Sequence, residues 1–176
     1  MLYITKKTKV EHSAEVIRKN VSTILDLWVE GVKADIPELK DTERLVLLNV
    51  LPLMLEDIAL IMDRSEEKQD LQSPDRYKEL IEESREHGNH RASVIHFTGK
   101  RIIREHMVLH QVMIMVLRSE KAYNEEVGIL LSMCLETSMS HSIDAFSNTI
   151  QKMREKLVAT LAQVSRDVAR ARARKV

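Results

Sequence analysis

Residues that interrupt helices are scarce in this chain. Its 176 residues include four glycines and three prolines, Pro37, Pro52 and Pro74. Proline ends helices, and none follows Pro74, so very long helices are permitted in the rest of the chain. A single cysteine, Cys134, excludes an intrachain disulfide and fits a reducing compartment. No run reaches the roughly 18 apolar residues of a spanning helix. The N-terminal MLYITKKTKVEH also lacks the apolar stretch of a signal peptide. These absences predict a cytoplasmic protein that does not enter a membrane. There is no Gly-rich phosphate loop, no nucleophile–base motif and no paired-carboxylate signature, which argues against an enzyme. The formal net charge is zero, so no global field favours nucleic acid or a membrane surface.

The composition, 44% hydrophobic and 31% charged, is that of a globular chain, long enough for one domain with a real core. Charge is unevenly spread. Residues 151–176 carry eight Lys/Arg against Glu155 and Asp167, a local net of +6 that leaves −6 on the first 150 residues. The basic run ending ARARARKV is short and has no aromatic residue within it, so no nucleic-acid partner is expected.

Apolar spacing points to helices throughout and to no strand. Val16, Ile17, Val21, Ile24, Leu25, Trp28 and Val32 recur at helical intervals over 11–34. Gly31 and then Asp35-Ile36-Pro37 end that helix, because the residue before proline avoids helical geometry. A second helix is predicted over 42–63, capped by Asp41 or Thr42, with Pro52 as a kink or a restart. Residues 64–75 read as a polar loop. Ser73-Pro74 starts a short helix near 74–86, which Gly88 closes. A fourth helix follows over roughly 89–119, and a fifth runs from Tyr123 almost to the end. The expected organisation is all-α, with a helical core over 1–122 and a long signalling and dimerisation helix with a basic tail over 123–176.

If residues 124–168 are all helical, they span on the order of 65 Å, while a small domain is about 30 Å across. The distal part must therefore project or pair. Its apolar positions are Phe146, Ile150, Met153, Leu157, Leu161, Val164, Val168 and Ala171. They are separated by steps of four and three with one additional four, which is a heptad seam containing a stutter. This pattern predicts a parallel two-helix coiled coil in a homodimer.

The segment EHGNHRASVIHFTGKRIIREHMVLHQVMIMVLR, residues 86–118, carries the candidate site. At about 100° per residue, Lys100, Arg104, Gln111 and Arg118 share one face. Ala92, Ile95, Ile103, Met107, Met113, Ile114 and Leu117 lie on the opposite arc together with His96, His106 and His110. Imidazoles in such a setting hydrogen-bond core backbone or meet a dimer partner, ligate a metal or haem iron, or sense pH or a small molecule. Zinc finds no Cys/His cluster and no H-E-x-x-H. A di-iron site finds no Glu-x-x-His pair. His87-Gly88-Asn89-His90-Arg91 reads as a local turn in which Gly88 takes a left-handed cap and Asn89 caps the next helix. Arg91 pairs with an acid such as Glu86 or with a buried carboxylate. Glu105, at the edge of the apolar arc, needs a cationic partner.

These residues also carry a resemblance. Trp28, Pro37, the run Asn49-Val50-Leu51-Pro52-Leu53-Met54-Leu55-Glu56-Asp57-Ile58-Ala59, then His87-Gly88 with His90-Arg91, then Glu105-His106-x-x-Leu109-His110 fall in the order of a known family. The chain resembles, over about residues 20–120, the N-terminal sensor domain of RsbR-type proteins, the RsbT co-antagonists of stressosome signalling. That domain also heads many bacterial histidine kinases. The family tyrosine is replaced here by His106 and the family arginine by His110. The resemblance implies a globin-like helical domain that usually lacks haem and that dimerises. Residues 153–162, MREKLVATLA, are similar to the entry of a histidine-kinase dimerisation helix. Gln163, Val164, Ser165 and Arg166 stand where the phosphoacceptor histidine and its neighbours would follow.

The function expected from this reading is sensing and signal transduction through a dimeric C-terminal helix, with a downstream kinase or anti-sigma-type domain as partner and no cofactor. His90, Arg91, His96, Glu105, His106 and His110 are the candidate pocket residues. The alternatives are a haem or metal protein using His96, His106 and His110, and a helical scaffold without a signal.

Overall fold

A computed structural model describes residues 9–64 and 74–173. Among the described residues the chain forms helices and short turns, with no strand. The helices are α1 (Lys9–Lys19), α2 (Val21–Asp35), α3 (Arg44–Leu48), α4 (Leu51–Asp63), α5 (Lys78–Ser93), α6 (Gly99–Ser119) and α7 (Glu125–Ala173). Pro37–Leu39 and Pro74–Tyr77 form 3₁₀ turns. The all-α class matches the apolar spacing. Most of the predicted 64–75 loop, residues 65–73, lies outside the described residues.

Several helix boundaries differ from expectation. The helix predicted over 11–34 is two, broken at Asn20. There the side-chain amide donates to the Val16 carbonyl at 2.9 Å and the backbone N–H to Val16 and Ile17. Gly31 does not end α2. It allows close packing instead, since a Cβ there would lie 2.7 Å from Val108 Cγ1. The helix predicted over 42–63 is two, with the restart at Pro52 that was expected there. Asn49, at φ 40° and ψ −121°, ends α3, and α4 restarts with Pro52 in its first turn. Neither Asp41 nor Thr42 caps α3; Glu43 holds that position without a side-chain bond.

The turn expected at His87–Arg91 does not form. α5 continues through it to Ser93. Gly88 is needed for proximity rather than for a left-handed cap, because a Cβ there would lie 2.1 Å from the Ser142 carbonyl oxygen on α7. Asn89 does not cap a helix; its side-chain oxygen accepts from Thr149 Oγ1 at 2.8 Å. The real break falls at Val94–Thr98. His96 takes φ 74°, and the Thr98 hydroxyl caps α6 by accepting from the Arg101 backbone N–H.

The core is assembled from pairings of α5 with α7, α1 with α4, α2 with α6 and α6 with α7. Trp28, Ile17, Ile24, Met54, Leu55, Ile58, Met62 and Ile102 are fully buried in it. Against the expectation of no apolar segment of spanning length, Arg44–Asp63 is long and apolar enough to cross a membrane, with a mean hydropathy of 2.1. Asn49 interrupts it, and half of it is buried: Leu47, Met54, Leu55, Ile58 and Met62 lie in the core, while Leu45 and Leu53 are exposed.

α7 has two parts. Val127, Leu130, Leu131, Cys134, Leu135, Ser138 and Ser142 are buried, and Ile143 and Phe146 still pack on the core. From Gln151 to Ala171 every residue is exposed. The helix has 49 residues, about 70 Å at 1.5 Å per residue, so its distal part projects well past the core.

Candidate functional site: a buried ionic network at the α5–α6–α7 junction

Glu105 is 1% exposed, and an isolated carboxylate so placed is strongly disfavoured. Its cation comes from α5. Arg91 Nε lies 3.1 Å from both Glu105 oxygens, and Arg91 is 0% exposed. The guanidinium's other nitrogens donate to the carbonyls of Val46 (Nη1, 3.0 Å) and Leu47 (Nη2, 2.5 Å). These carbonyls lie in the last turn of α3 and have no helical partner. The guanidinium also sits 4.6 Å from the Phe97 ring centre, a cation–π contact. One side chain thus joins α3, α5 and α6.

His87 lies one turn before Arg91 on α5 and faces the same carboxylate. Its Nε2 is 2.6 Å from Glu105 Oε1. A carboxylate only accepts, so Nε2 carries the proton. Its Nδ1 is buried without a hydrogen-bond partner. On α6, His106 Nδ1 is 2.8 Å from the Ile102 carbonyl, so here Nδ1 carries the proton. Nε2 then accepts from the Ser138 hydroxyl of α7 at 3.0 Å. The two rings meet edge to face, 5.7 Å between centres. Trp28 Nε1 donates to the Glu105 backbone carbonyl at 2.9 Å, which brings α2 to the same point.

The charge states follow from the surroundings. Burial pushes the Glu105 carboxyl up, but Arg91 and His87 outweigh it and hold it at about 2. Burial, reinforced by His87, pushes His106 down to about 4. Burial also lowers His87, opposed by Glu105 and assisted by Arg91. At neutral pH the network is therefore one ion pair, Glu105 with Arg91, flanked by two neutral imidazoles.

Ligand atoms of His87, Glu105 and His106 all lie within 4.8 Å of one another, which raises the question of a metal. The donor set does not fit one. Both His106 nitrogens and His87 Nε2 already serve protein partners. Glu105 is neutralised by a guanidinium that would repel a dication.

Of the predicted site residues, Arg91, Glu105 and His106 come together, and Glu105 has the cation it was expected to need. His90 is half-buried beside them, its Nδ1 3.2 Å from Arg91 Nη1, and burial and then Arg91 lower its pKa. His110 lies at the edge, its Nε2 3.5 Å from Ser132 Oγ; it does not join His106. His96 is apart from the network, exposed in the α5–α6 turn, so the trio His96, His106 and His110 is not one cluster. Ile95, Ile103 and Met107, assigned to the apolar arc, are exposed. The break at Val94–Thr98 separates Ile95 from α6, while Ile103 and Met107 lie only about 60° around α6 from Lys100 and Arg104. The buried line of α6 runs through Ile102, Glu105, His106, Leu109, Val112, Met113, Val116 and Leu117. His87 and Ser138 were missed. The i, i+4 spacing of His87 and Arg91 was visible, but it was read as a turn.

A line of small residues joins this network to α7. The Ser142 hydroxyl donates to the Ser84 carbonyl at 2.9 Å, and Gly88 packs against the Ser142 backbone. Further along α7, Phe146 and Ile150 are half-buried. Met153, Leu157, Leu161, Val164 and Val168 are 46–59% exposed.

The chain matches no protein-family model, no curated protein and no solved structure.

Proposed function

We propose that this chain is a cytoplasmic sensory and signal-transduction domain of the histidine-kinase or stressosome type, in which a globin-like helical core without haem controls a homodimeric output helix. The supporting observation is the continuity of α7. One unbroken helix carries Ser138 and Ser142 inside the core and then exposes Met153, Leu157, Leu161, Val164 and Val168 in a row. A row of exposed apolar residues at heptad spacing suits a second copy of itself. In a parallel pair related by a two-fold axis, each seam residue meets its own counterpart. The stutter between Leu157 and Leu161 gives the seam two packings of similar energy, the bistable element a switch requires. A change at the α5–α7 contact then becomes a rotation or register shift of the distal helices, read by a downstream kinase or anti-sigma-type domain. The site chemistry favours this over a haem or metal protein, because both His106 nitrogens and His87 Nε2 already serve protein partners and Arg91 neutralises Glu105.

Leu157→Asp places a charge in the middle of the seam. Sedimentation velocity of the wild type should show a dimer and that of the variant a monomer, with unchanged circular dichroism from the core. A variant that remains fully dimeric refutes the seam.

A further inference from the structure

We propose that His87 and His106 form a proton-operated latch on α7, so that acidification is an input this core reads. The inference deepens the preceding reading and rests on α7 being the output element. His106 reaches α7 through an acceptor nitrogen, Nε2, which takes the Ser138 hydroxyl hydrogen at 3.0 Å. Its other nitrogen is already spent on the Ile102 carbonyl. An added proton can enter only at Nε2, on the line the hydroxyl hydrogen already occupies, so the α6–α7 bond must reverse or break. At His87 an added proton enters at Nδ1, which faces no acceptor.

The groups facing this pair leave an added charge uncompensated. From α5 come Arg91 and the adjacent His90; from α6 comes Glu105; from α7 comes the uncharged Ser138; from α2 comes Trp28, whose indole is bound to the Glu105 carbonyl. The single carboxylate is already matched by Arg91. One imidazolium makes this buried junction net positive, and two make it doubly so. Opening α7 gives the charges water. The α5–α7 contact is where such opening must occur, because Gly88 and Ser142 hold the helices too close for hydration to enter gradually.

The reach of the device follows from linkage. His106, held near 4 in the closed state and near 6.5 when solvated, favours the open state about tenfold more at pH 5.5 than at pH 7.5. His87 adds in the same direction.

Hydrogen exchange of the full chain at pH 7.5 and 5.5, corrected for the intrinsic pH dependence of exchange, tests this. Amides of α5 and of α7 up to Ser142 should lose about tenfold or more of their protection in the wild type, while those of α1 and α4 keep theirs. Trp28, the chain's one tryptophan, should shift its emission in parallel. His106→Gln, which keeps a donor for the Ile102 carbonyl but does not titrate, should flatten the response, and so, in part, should His87→Gln. Wild-type protection that is independent of pH overturns the latch without recourse to any variant. An undiminished response in both variants overturns it as well. Sedimentation of the same samples separates the two readings. A dimer with a flat response refutes the latch alone. A monomer at both pH values with the response intact refutes the output dimer and supports the latch.

Discussion

Glu105→Gln is the sharpest test of the buried network. Glutamine keeps the shape of the side chain and an oxygen that accepts from His87 and Arg91. What it removes is the charge. Arg91 is 0% exposed and would keep a full guanidinium charge with no anion to face, only carbonyl oxygens, His90 Nδ1 and the Phe97 ring. Breaking a buried ion pair on one side costs about 3–5 kcal/mol. The retained hydrogen bonds place this variant near about 3 kcal/mol, a large share of the roughly 5–15 kcal/mol that holds a typical domain folded. Urea unfolding followed by circular dichroism measures it. The double variant Arg91→Met with Glu105→Leu removes both charges. It orphans the Val46 and Leu47 carbonyls but strands no ion, so it should be less destabilised than the sum of the single variants by about 2 kcal/mol or more. The pH profile supplies a second reading. Glu105 is held at about 2 against 4.5 in water, so its contribution is complete above pH 4.5 and is lost as pH falls toward 2. His106, held at about 4 against 6.5, contributes fully above pH 6.5 and loses roughly 3 kcal/mol as pH falls toward 4. Glu105→Gln removes the lower window, which only a titrating carboxylate supplies. A cost below about 1 kcal/mol with an unchanged acid limb would refute the charged pair.

Gly88→Ala should destabilise by about 3 kcal/mol or more and loosen α5 from α7, since the new methyl meets the Ser142 carbonyl, which is backbone and cannot swing away; thermal unfolding checks it, and a neutral effect would show that the helices are farther apart. Asn49→Gly should raise stability by about 1 kcal/mol in urea unfolding, because asparagine there holds φ 40° with ψ −121° and its buried amide nitrogen has no partner. An equal or lower stability would mean that the asparagine conformation is unstrained.

The helical class, the long C-terminal helix and the need of Glu105 for a cation were all legible in the sequence, because each depends on local spacing or on the charge of one residue. The restart of the second predicted helix at Pro52 was legible too. The breaks at Asn20 and Val94–Thr98 were not, because the apolar pattern runs across them and no glycine or proline lies inside them. The missed break at Val94–Thr98 joined His96 to a cluster it does not enter. Ile103 and Met107, expected in the core, are exposed for a different reason: they lie only about 60° around the helix from Lys100 and Arg104 and share their exposed side. Gly88 shows the same limit from the other side. A glycine among polar residues suggests a turn, and only the approach of Ser142 reveals that it is there to admit a neighbouring helix.

The sequence alone determined that this protein is built of helices, that one of them outruns its core, and that the outrunning part carries a heptad seam. Those properties follow from periodicity and length, which the chain holds without reference to its fold. The tertiary structure decided which polar residues meet. Arg91 reaches the carbonyls of Val46 and Leu47 from 45 and 44 residues away, and His106 reaches Ser138 across 32. Such partners are selected by the crossing of helices, and the low dielectric of the site they share makes their charge states interdependent.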